Sequence, residues 1–317
     1  MKKIALVGCG RISKRHIEAI QHNGDSLELS LLCDVDERKV KELSQELSVP
    51  YETNMKNIKG VDVVTIATPS GMHPKHVVNI AENCDAKYII CEKPISLTVR
   101  EVVWMFREVK KYNKVLLPVY QNRYNPLVEY IRSEINKGTL GKIYQLNINV
   151  FWNRNDEYYR NSWHGTPDLD GGVLYTQASH YVDMMLYLFG PITDAKGLGG
   201  SLRGLDVQDS VSAVCKFENG TVGTLNATVS VFNKNYLTEL TIIGEKGTVR
   251  FSGTNLNTID FWNVDCMAKP DMDFTLDHIY GKGHDVLYKY LMQENWKKFP
   301  AYSDVVAGIS LMEKLSF

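Results

Sequence analysis

His180 is the residue of this chain whose type and surroundings best suit acid–base chemistry. It follows the double glycine Gly171-Gly172 and lies in an otherwise apolar segment that runs on to Phe189. An imidazole titrates near neutral pH, so this side chain could take a proton from a substrate hydroxyl group. A core histidine in an amphipathic helix would show the same pattern, but the preceding glycines and the presence of Lys93 favour catalysis.

Lys93 is the second candidate catalytic residue and belongs to the triplet Glu92-Lys93-Pro94. The triplet directly follows the fourth apolar strand of the N-terminal half, at the carboxyl edge where ligands bind in parallel sheets. We expect the Lys93 ammonium to donate a hydrogen bond to a substrate hydroxyl group, and Glu92 to hold the loop or polarise the lysine. Such triplets are also common in exposed turns, so the prediction depends on this position.

Two turns near the N-terminus are predicted to bind a dinucleotide. The run from Gly8 to Ser13 follows the first strand and opens a helix, so its glycines can bring the backbone next to a pyrophosphate. Asp34 closes the second strand, where its carboxylate can accept hydrogen bonds from ribose hydroxyls and repel a 2′-phosphate. These features predict NAD rather than NADP as the cofactor.

A third turn, Thr68-Pro69-Ser70 with His73 after it, closes the third strand at the same edge and is predicted to line the nicotinamide and ribose. No metal ligand set is predicted. The predicted cofactor-binding residues are Gly8, Gly10, Arg11, Ile12, Asp34, Thr68, Pro69, His73, Glu92 and Lys93.

These residues require a parallel sheet to position them, and the first 120 residues predict one. Short apolar strands alternate there with amphipathic helices, the pattern of a doubly wound sheet covered by crossover helices. The predicted strands are 3–8, 27–34, 61–68, 87–91 and 115–120, and the predicted helices are 11–24, 36–48, 73–84 and 98–112. We therefore expect an α/β NAD-binding Rossmann domain over 1–120.

Residues 121–317 predict a second, α+β domain with a large, mostly antiparallel open sheet. A helix at 126–137 precedes long alternating segments, and Asn219-Gly220 and the run 244–247 read as hairpin turns. One face of this sheet is expected to be exposed, and the other face is expected to pack on helices or on a partner subunit. The predicted strands are 143–151, 194–204, 208–217, 221–231, 236–243 and 247–252.

Composition restricts the function classes. The chain has 317 residues, which favours two domains over one core, and its formal charge of −1 provides no field that would attract nucleic acid or a membrane surface. The six cysteines occur singly in apolar runs, which indicates a reducing compartment. Because Gly8 follows the N-terminal lysines too closely for a signal peptide, we expect a cytoplasmic protein that binds a small molecule.

Taken in order, these motifs resemble the glucose-fructose oxidoreductase and inositol dehydrogenase (Gfo/Idh/MocA) family. The resemblance covers the glycine turn with His16, the Thr-Pro-Ser turn with His73, the Glu-Lys-Pro triplet, and the segment carrying His180 and Asp183. It implies a Rossmann domain, a second domain whose sheet serves oligomerisation, as a homodimer or homotetramer, and a lysine and a histidine that flank a sugar carbon beside the nicotinamide. In this family the proline after the lysine is often cis.

One departure from the family pattern narrows the prediction. Most members carry an Asp four residues before the histidine, on the same helix face, where this chain has Thr176 followed by Gln177. Together with the run 162–165, Ser-Trp-His-Gly, this looks like the subgroup that oxidises C3 of UDP-N-acetylglucosaminuronate for surface polysaccharide synthesis. Two alternatives stay open: an NADP-linked reductase of a dTDP-3-ketosugar in a deoxysugar pathway, and a catalytically silent regulator that binds NAD or a nucleotide sugar.

The loop 152–170 mixes aromatic rings with cations, as a uridine and a sugar carboxylate or pyrophosphate would require. The same composition could instead stitch two domains together. Arg123 and Arg160 are the preferred anion contacts. The predicted substrate-binding residues are Arg123, Tyr159, Arg160, Trp163, Thr176, Gln177 and His180.

Overall fold

The computed structural model describes residues 1–160, 162–271 and 279–316. The chain divides into two compact units, one formed by Met1–Gln121 with Gly281–Val306 and the other by Asn122–Tyr280 with Ala307–Phe317. The first boundary lies next to the predicted one. The assignment of 121–317 to the second domain is wrong for Gln121 and for 281–306, which fold with the N-terminal unit. Within the described ranges, no helix is both long and apolar enough to span a bilayer.

The first unit contains a fully parallel, six-stranded sheet, as predicted for a Rossmann domain. Its central strands are buried on both faces because helices cover them, so their side chains are almost all apolar, with Thr65 as the buried polar residue of the fourth strand. The strands are β1 (Lys2–Val7), β2 (Leu27–Cys33), β3 (Tyr51–Glu52), β4 (Val63–Ile66), β5 (Tyr88–Cys91) and β6 (Val115–Pro118), in the spatial order β3-β2-β1-β4-β5-β6.

Side chains cap two of the four crossover helices. Asp36 accepts a hydrogen bond from Lys39 N, and Thr98 Oγ1 accepts from Glu101 N and donates to the Glu101 carboxylate. The helices are α1 (Ser13–His22), α2 (Glu37–Leu47), α3 (His73–Asn83) and α4 (Val99–Lys111), each within two residues of its predicted bounds.

The second unit contains a seven-stranded sheet in which every neighbouring pair is antiparallel except β10 with β7. Apolar side chains alternate with polar ones, so one face of the sheet is buried and the other carries amides and hydroxyls. The strands are β7 (Ile143–Phe151), β8 (Ile192–Gly200), β9 (Ser210–Phe217), β10 (Val222–Thr228), β11 (Leu237–Gly244), β12 (Gly247–Ser252) and β13 (Thr258–Val264), in the order β13-β12-β11-β7-β10-β9-β8. The predicted fold class is confirmed, although β13 was not predicted.

Four helices of the second unit are α5 (Pro126–Lys137), α6 (Asp156–Tyr159), α7 (Val173–Thr176) and α8 (Ser179–Phe189). Two further helices, α9 (Ile279–Met292) and α10 (Tyr302–Leu315), follow the sheet, and α9 was not predicted. Most of α9 belongs to the first unit, where it packs a histidine and a tyrosine into the core.

Candidate active site

The turn after β1 is open to a ligand at one glycine and closed at the other. Gly8 has a φ of +96°, and a Cβ there would lie 2.6 Å from the Ala67 carbonyl oxygen, so only glycine fits. A Cβ added at Gly10 would meet no atom within 4 Å, and Ser13 Oγ donates to the Gly10 carbonyl at the start of α1. This space in front of a helix N-terminus suits a phosphate group.

Asp34 lies beside this turn at the end of β2. Its carboxylate accepts hydrogen bonds from Cys9 N at 2.7 Å and from Asp36 N at 3.0 Å, which fixes its orientation. Each oxygen keeps a further lone pair with which to accept from a hydroxyl group. Arg11 is exposed and Ile12 half-buried at the same turn. The residues present therefore fit an adenosine ribose without a 2′-phosphate.

These contacts make the two glycines testable separately. We expect Gly10→Ala to leave the thermal unfolding midpoint nearly unchanged and to weaken NAD binding at least about tenfold, because the added methyl group occupies the space in front of the helix. Gly8→Ala should instead destabilise the fold, because its backbone conformation and the Ala67 carbonyl both exclude a Cβ. Calorimetric titration with NAD and thermal unfolding measure the two effects, and unchanged NAD affinity in Gly10→Ala would contradict the assignment.

His73 was predicted to line the nicotinamide and ribose, but its ring contacts the protein. The side chain is buried, with Nε2 2.8 Å from the Thr68 carbonyl oxygen and Nδ1 2.8 Å from that of Pro94. His73 thus links the turn after β4 to the loop that carries Lys93. Thr68 Oγ1 lies 2.9 Å from Nδ1 of His76, and Pro69 is half-buried beside it.

The loop after β5 places Lys93 at the carboxyl edge of the sheet, and its peptide bond to Pro94 is cis. Glu92 is 3% exposed, and its Oε2 accepts a hydrogen bond from Lys93 N at 3.0 Å. The carboxylate therefore holds the loop, one of the two roles predicted for it.

Oε1 of Glu92 lies in a buried histidine cluster that the sequence analysis did not predict. His16 Nε2 and His284 Nε2 each lie 3.0 Å from it, and the Tyr288 hydroxyl group lies 3.0 Å from His16 Nδ1 and from Thr65 Oγ1. Burial opposes ionisation of Glu92, but the hydrogen bonds from the two histidines hold its pKa well below its usual value. The i,i+4 spacing of His284 and Tyr288 on one helix is the signal that could have pointed to the cluster.

Burial of histidines in the first unit predicts sensitivity to acid. Burial lowers the pKa of His16 and His73, and lowers that of His76 to about 4. The unfolded chain therefore binds more protons than the folded one below about pH 6.5, so stability is greatest above that value and falls as the pH drops. We expect the free energy of unfolding in urea to fall by at least about 2 kcal/mol between pH 7 and pH 5. A free energy of unfolding that stays constant or rises as the pH falls from 7 to 5 would contradict this prediction.

In the second unit, His180 lies in the first turn of α8 and is 5% exposed. Gly172, before α7, has a φ of +90°, and a Cβ there would lie 2.8 Å from the Gln208 carbonyl oxygen. The helix is interrupted at Gln177, so Thr176 ends α7 while His180 belongs to α8. The prediction that these two positions share one helix face is wrong, because the backbone turns between them.

The side chain of Gln177 joins this interruption to the loop 152–170. Its Oε1 accepts from Arg154 Nη2 at 2.5 Å, and its Nε2 donates to the Tyr158 hydroxyl group at 3.2 Å. The Arg154 guanidinium also lies over the rings of Trp152 and Tyr158. A cation and aromatic faces therefore contact a side chain only three residues before the candidate general base.

A second link runs through His164, whose ring stacks on Tyr158 with centroids 4.0 Å apart and lies beside Trp163. His164 Nδ1 is 3.2 Å from Asp170, whose other oxygen accepts from Gly172 N at 2.7 Å. The aromatic loop is thus attached to the backbone that leads into α7.

The two predicted anion contacts differ in their surroundings. Arg123 is buried, and its Nε and Nη2 donate to both oxygens of Asp183 at 2.8 and 2.6 Å. Because this pairing neutralises the guanidinium, the prediction of an anion contact at Arg123 gives way to a structural role. Arg160 is exposed where α6 ends, and neighbouring Tyr159 is half-buried beneath the guanidinium of Arg203.

Comparison with known proteins gives consistent results for both units. A family model described as an oxidoreductase family with an NAD-binding Rossmann fold matches residues 2–120, and one described as a GFO/IDH/MocA C-terminal domain matches 128–250. A myo-inositol 2-dehydrogenase of Thermotoga maritima is 26% identical over 264 residues, which are 78% of this chain and 74% of that protein.

Two solved structures resemble the whole chain. The WlbA dehydrogenase from Bordetella pertussis in complex with NADH and UDP-GlcNAcA superposes with a TM-score of 0.91 at 30% identity, over 99% of this chain and 94% of that one. The WlbA dehydrogenase of Chromobacterium violaceum, in complex with the same two molecules, has a TM-score of 0.90 at 30% identity, over 99% and 92%. These matches confirm the resemblance predicted from the motifs.

Proposed function

We propose that this chain, which belongs to the GFO/IDH/MocA family of oxidoreductases and has its NAD-binding Rossmann fold, oxidises C3 of a UDP-sugar like UDP-N-acetylglucosaminuronate. The observation that carries the proposal is the whole-length similarity, at 30% identity, to two WlbA dehydrogenases whose structures contain NADH and UDP-GlcNAcA. The product would serve surface polysaccharide synthesis.

The cofactor site of the proposal uses the residues around the first turn. Gly10 leaves room for the pyrophosphate, Gly8 lets the backbone turn close against Ala67, and Asp34 accepts from the adenosine ribose. When bound, NAD would supply the acceptor for the hydride that C3 releases and would leave as NADH. The negative charge of Asp34 opposes the 2′-phosphate of NADP, which argues against the NADP-linked reductase.

In the proposed reaction, His180 accepts one proton and Lys93 stabilises one developing negative charge. As the C3–H bond breaks and the hydride leaves, the C3 hydroxyl group loses its proton to a neutral imidazole nitrogen of His180. The Lys93 ammonium donates a hydrogen bond to the same oxygen and stabilises its alkoxide character until the carbonyl double bond forms. The products are the 3-keto sugar and one proton held by the enzyme.

We propose that the aromatic loop binds the nucleotide sugar. Trp163, Tyr159 and Gln177 offer stacking surface and hydrogen bonds, Thr176 a hydroxyl group near His180 along the chain, and Arg160 an exposed cation for an anionic group. Arg160→Ala should weaken UDP binding measured by calorimetry, and unchanged binding would remove Arg160 from the site.

The open face of the second sheet carries amide and hydroxyl side chains along β7 and β10, and we propose that it packs on another copy in a homodimer or homotetramer.

We also propose a cytoplasmic location. All six cysteines are free thiols, which supports a reducing environment.

The test is an absorbance assay at 340 nm with NAD and UDP-N-acetylglucosaminuronate. A nucleotide that stays bound would have to be reoxidised in place, for example by a 2-oxo acid, so the assay is repeated with 2-oxoglutarate and analysed for the 3-keto product by mass spectrometry. UDP-N-acetylglucosamine, which lacks the carboxylate, and NADP are the matched controls. Product formation with NAD supports the proposal, whereas NAD binding without product from either sugar would support the silent regulator.

A further inference from the structure

The buried cluster around Glu92 connects three distant parts of the first unit. His16 lies on α1 directly after the glycine turn, Glu92 precedes the candidate catalytic lysine, and His284 lies on α9, 192 residues further along the chain. His16 and His284 are completely buried. We propose that His284 is a positioning residue for Lys93, an inference that rests on the proposed function because it assigns Lys93 to the reaction.

The direction of each hydrogen bond follows from the carboxylate, which can only accept. Both Nε2 atoms therefore carry hydrogen and donate to Oε1. Because burial lowers the pKa of His16 and keeps its ring neutral, Nδ1 of His16 accepts from the Tyr288 hydroxyl group. Tyr288 in turn accepts from Thr65 Oγ1. The two imidazole N–H groups therefore hold Oε1 of the carboxylate in one orientation.

That orientation determines where the lysine loop begins. With Oε1 held by two imidazoles, Oε2 points to the backbone nitrogen of Lys93 at 3.0 Å. His73 holds the other end of the same short loop through the Pro94 carbonyl group. Loss of one imidazole donor removes a hydrogen bond that compensates the buried negative charge of Glu92. The carboxylate would then rotate to accept from another donor, and it would release the Lys93 amide.

The same three side chains could hold a metal ion, since their ligand atoms lie within 4.8 Å of one another. The 3.0 Å separations between the two Nε2 atoms and Glu92 Oε1 are hydrogen-bond lengths. Each Nε2–H group therefore already has an acceptor, the Glu92 carboxylate. The contacts therefore favour a hydrogen-bonded cluster over a metal centre.

The test compares His284→Gln with His284→Asn in the full-length protein. The amide nitrogen of glutamine reaches about as far as Nε2 and can still donate to Glu92, whereas asparagine is one methylene group too short. Asp285→Ala is the control, because Asp285 is the next residue of α9 and contacts the exposed His22 rather than Glu92. Tyr288→Phe, which removes the donor to His16, replaces the asparagine variant should that variant not fold.

The first measurement is hydrogen–deuterium exchange of the peptide spanning residues 89–97, which needs no substrate. We expect faster exchange of the Lys93 amide in His284→Asn or Tyr288→Phe, and wild-type protection in His284→Gln and Asp285→Ala. In the assay, kcat should fall about tenfold to a hundredfold in His284→Asn with NAD affinity and KM unchanged, and should recover in His284→Gln.

These measurements separate the two proposals. Unchanged exchange in His284→Asn, or a stoichiometric metal ion found by elemental analysis of the wild-type protein, would overturn the positioning role. Altered exchange with unaltered kcat would also overturn it. A wild-type protein that shows the exchange pattern but turns over no UDP-sugar would refute the proposed reaction and leave the hydrogen-bonded cluster intact.

Discussion

Replacement of His180 by Asn is expected to lower turnover at least about a hundredfold while leaving NAD affinity nearly unchanged. Asparagine keeps a polar side chain of similar size at a position that is 5% exposed, but it cannot accept a proton at neutral pH. The loss therefore reports the general base rather than packing. Single-turnover absorbance at 340 nm measures the hydride step, and fluorescence titration measures NAD binding.

The matched control is His22→Asn, which makes the same exchange at an exposed histidine of α1 and should leave turnover unchanged. Thermal unfolding of both variants excludes a loss caused by instability. Full turnover in His180→Asn would end the assignment of His180 as the base, and equal losses of turnover and NAD affinity would indicate a structural role.

The second large effect is expected for Lys93→Met, which removes the ammonium but keeps the length and apolar stem of the side chain. We expect turnover to fall about a hundredfold to a thousandfold, because a lost hydrogen-bond donor to a developing oxyanion costs that much in other enzymes. Hydrogen bonding of the Lys93 backbone nitrogen to Glu92 does not depend on the side chain, so the loop should remain in place. Steady-state kinetics and the exchange of the 89–97 peptide measure the two quantities.

Lys87→Met is the control for this variant. Lys87 is exposed directly before β5, at the end opposite Lys93, and its ammonium donates to the Asn113 carbonyl group. It should keep wild-type turnover and NAD affinity. A Lys93→Met protein that turns over within about threefold of wild type would remove the lysine from the proposed mechanism.

Local patterns accounted for much of the fold. Mostly apolar runs such as β4 and β5 predicted buried parallel strands, and the Thr98 cap predicted the start of α4 within one residue. Strand β13 was missed because its exposed and buried positions alternate irregularly around a register shift opposite Phe251. The return of 281–306 to the first unit depends on contacts between residues far apart in sequence, and the i,i+4 spacing of His284 and Tyr288 is a weak local sign of them.

Some candidate site residues could likewise be recognised from local sequence, and others could not. Asp34 and the glycine turn were recognisable because their backbone chemistry is local. Arg123 was misjudged because a buried guanidinium and an anion-binding one look alike until its partner, Asp183, is known. The break between Thr176 and His180 was equally invisible in an apolar segment with helical spacing.

The amino-acid sequence by itself determined the family, the strand-turn-helix units and the residue types available for chemistry, because turns, caps and hydrophobic periods act over a few residues. The tertiary structure alone decided which polar side chains already have a partner in the protein. Asp183 pairs with Arg123, and two backbone carbonyl groups lie at hydrogen-bond distance from the ring of His73. It also brought His284 to Glu92. Burial of a polar group requires a partner, and that partner is chosen by three-dimensional proximity, not by distance along the chain.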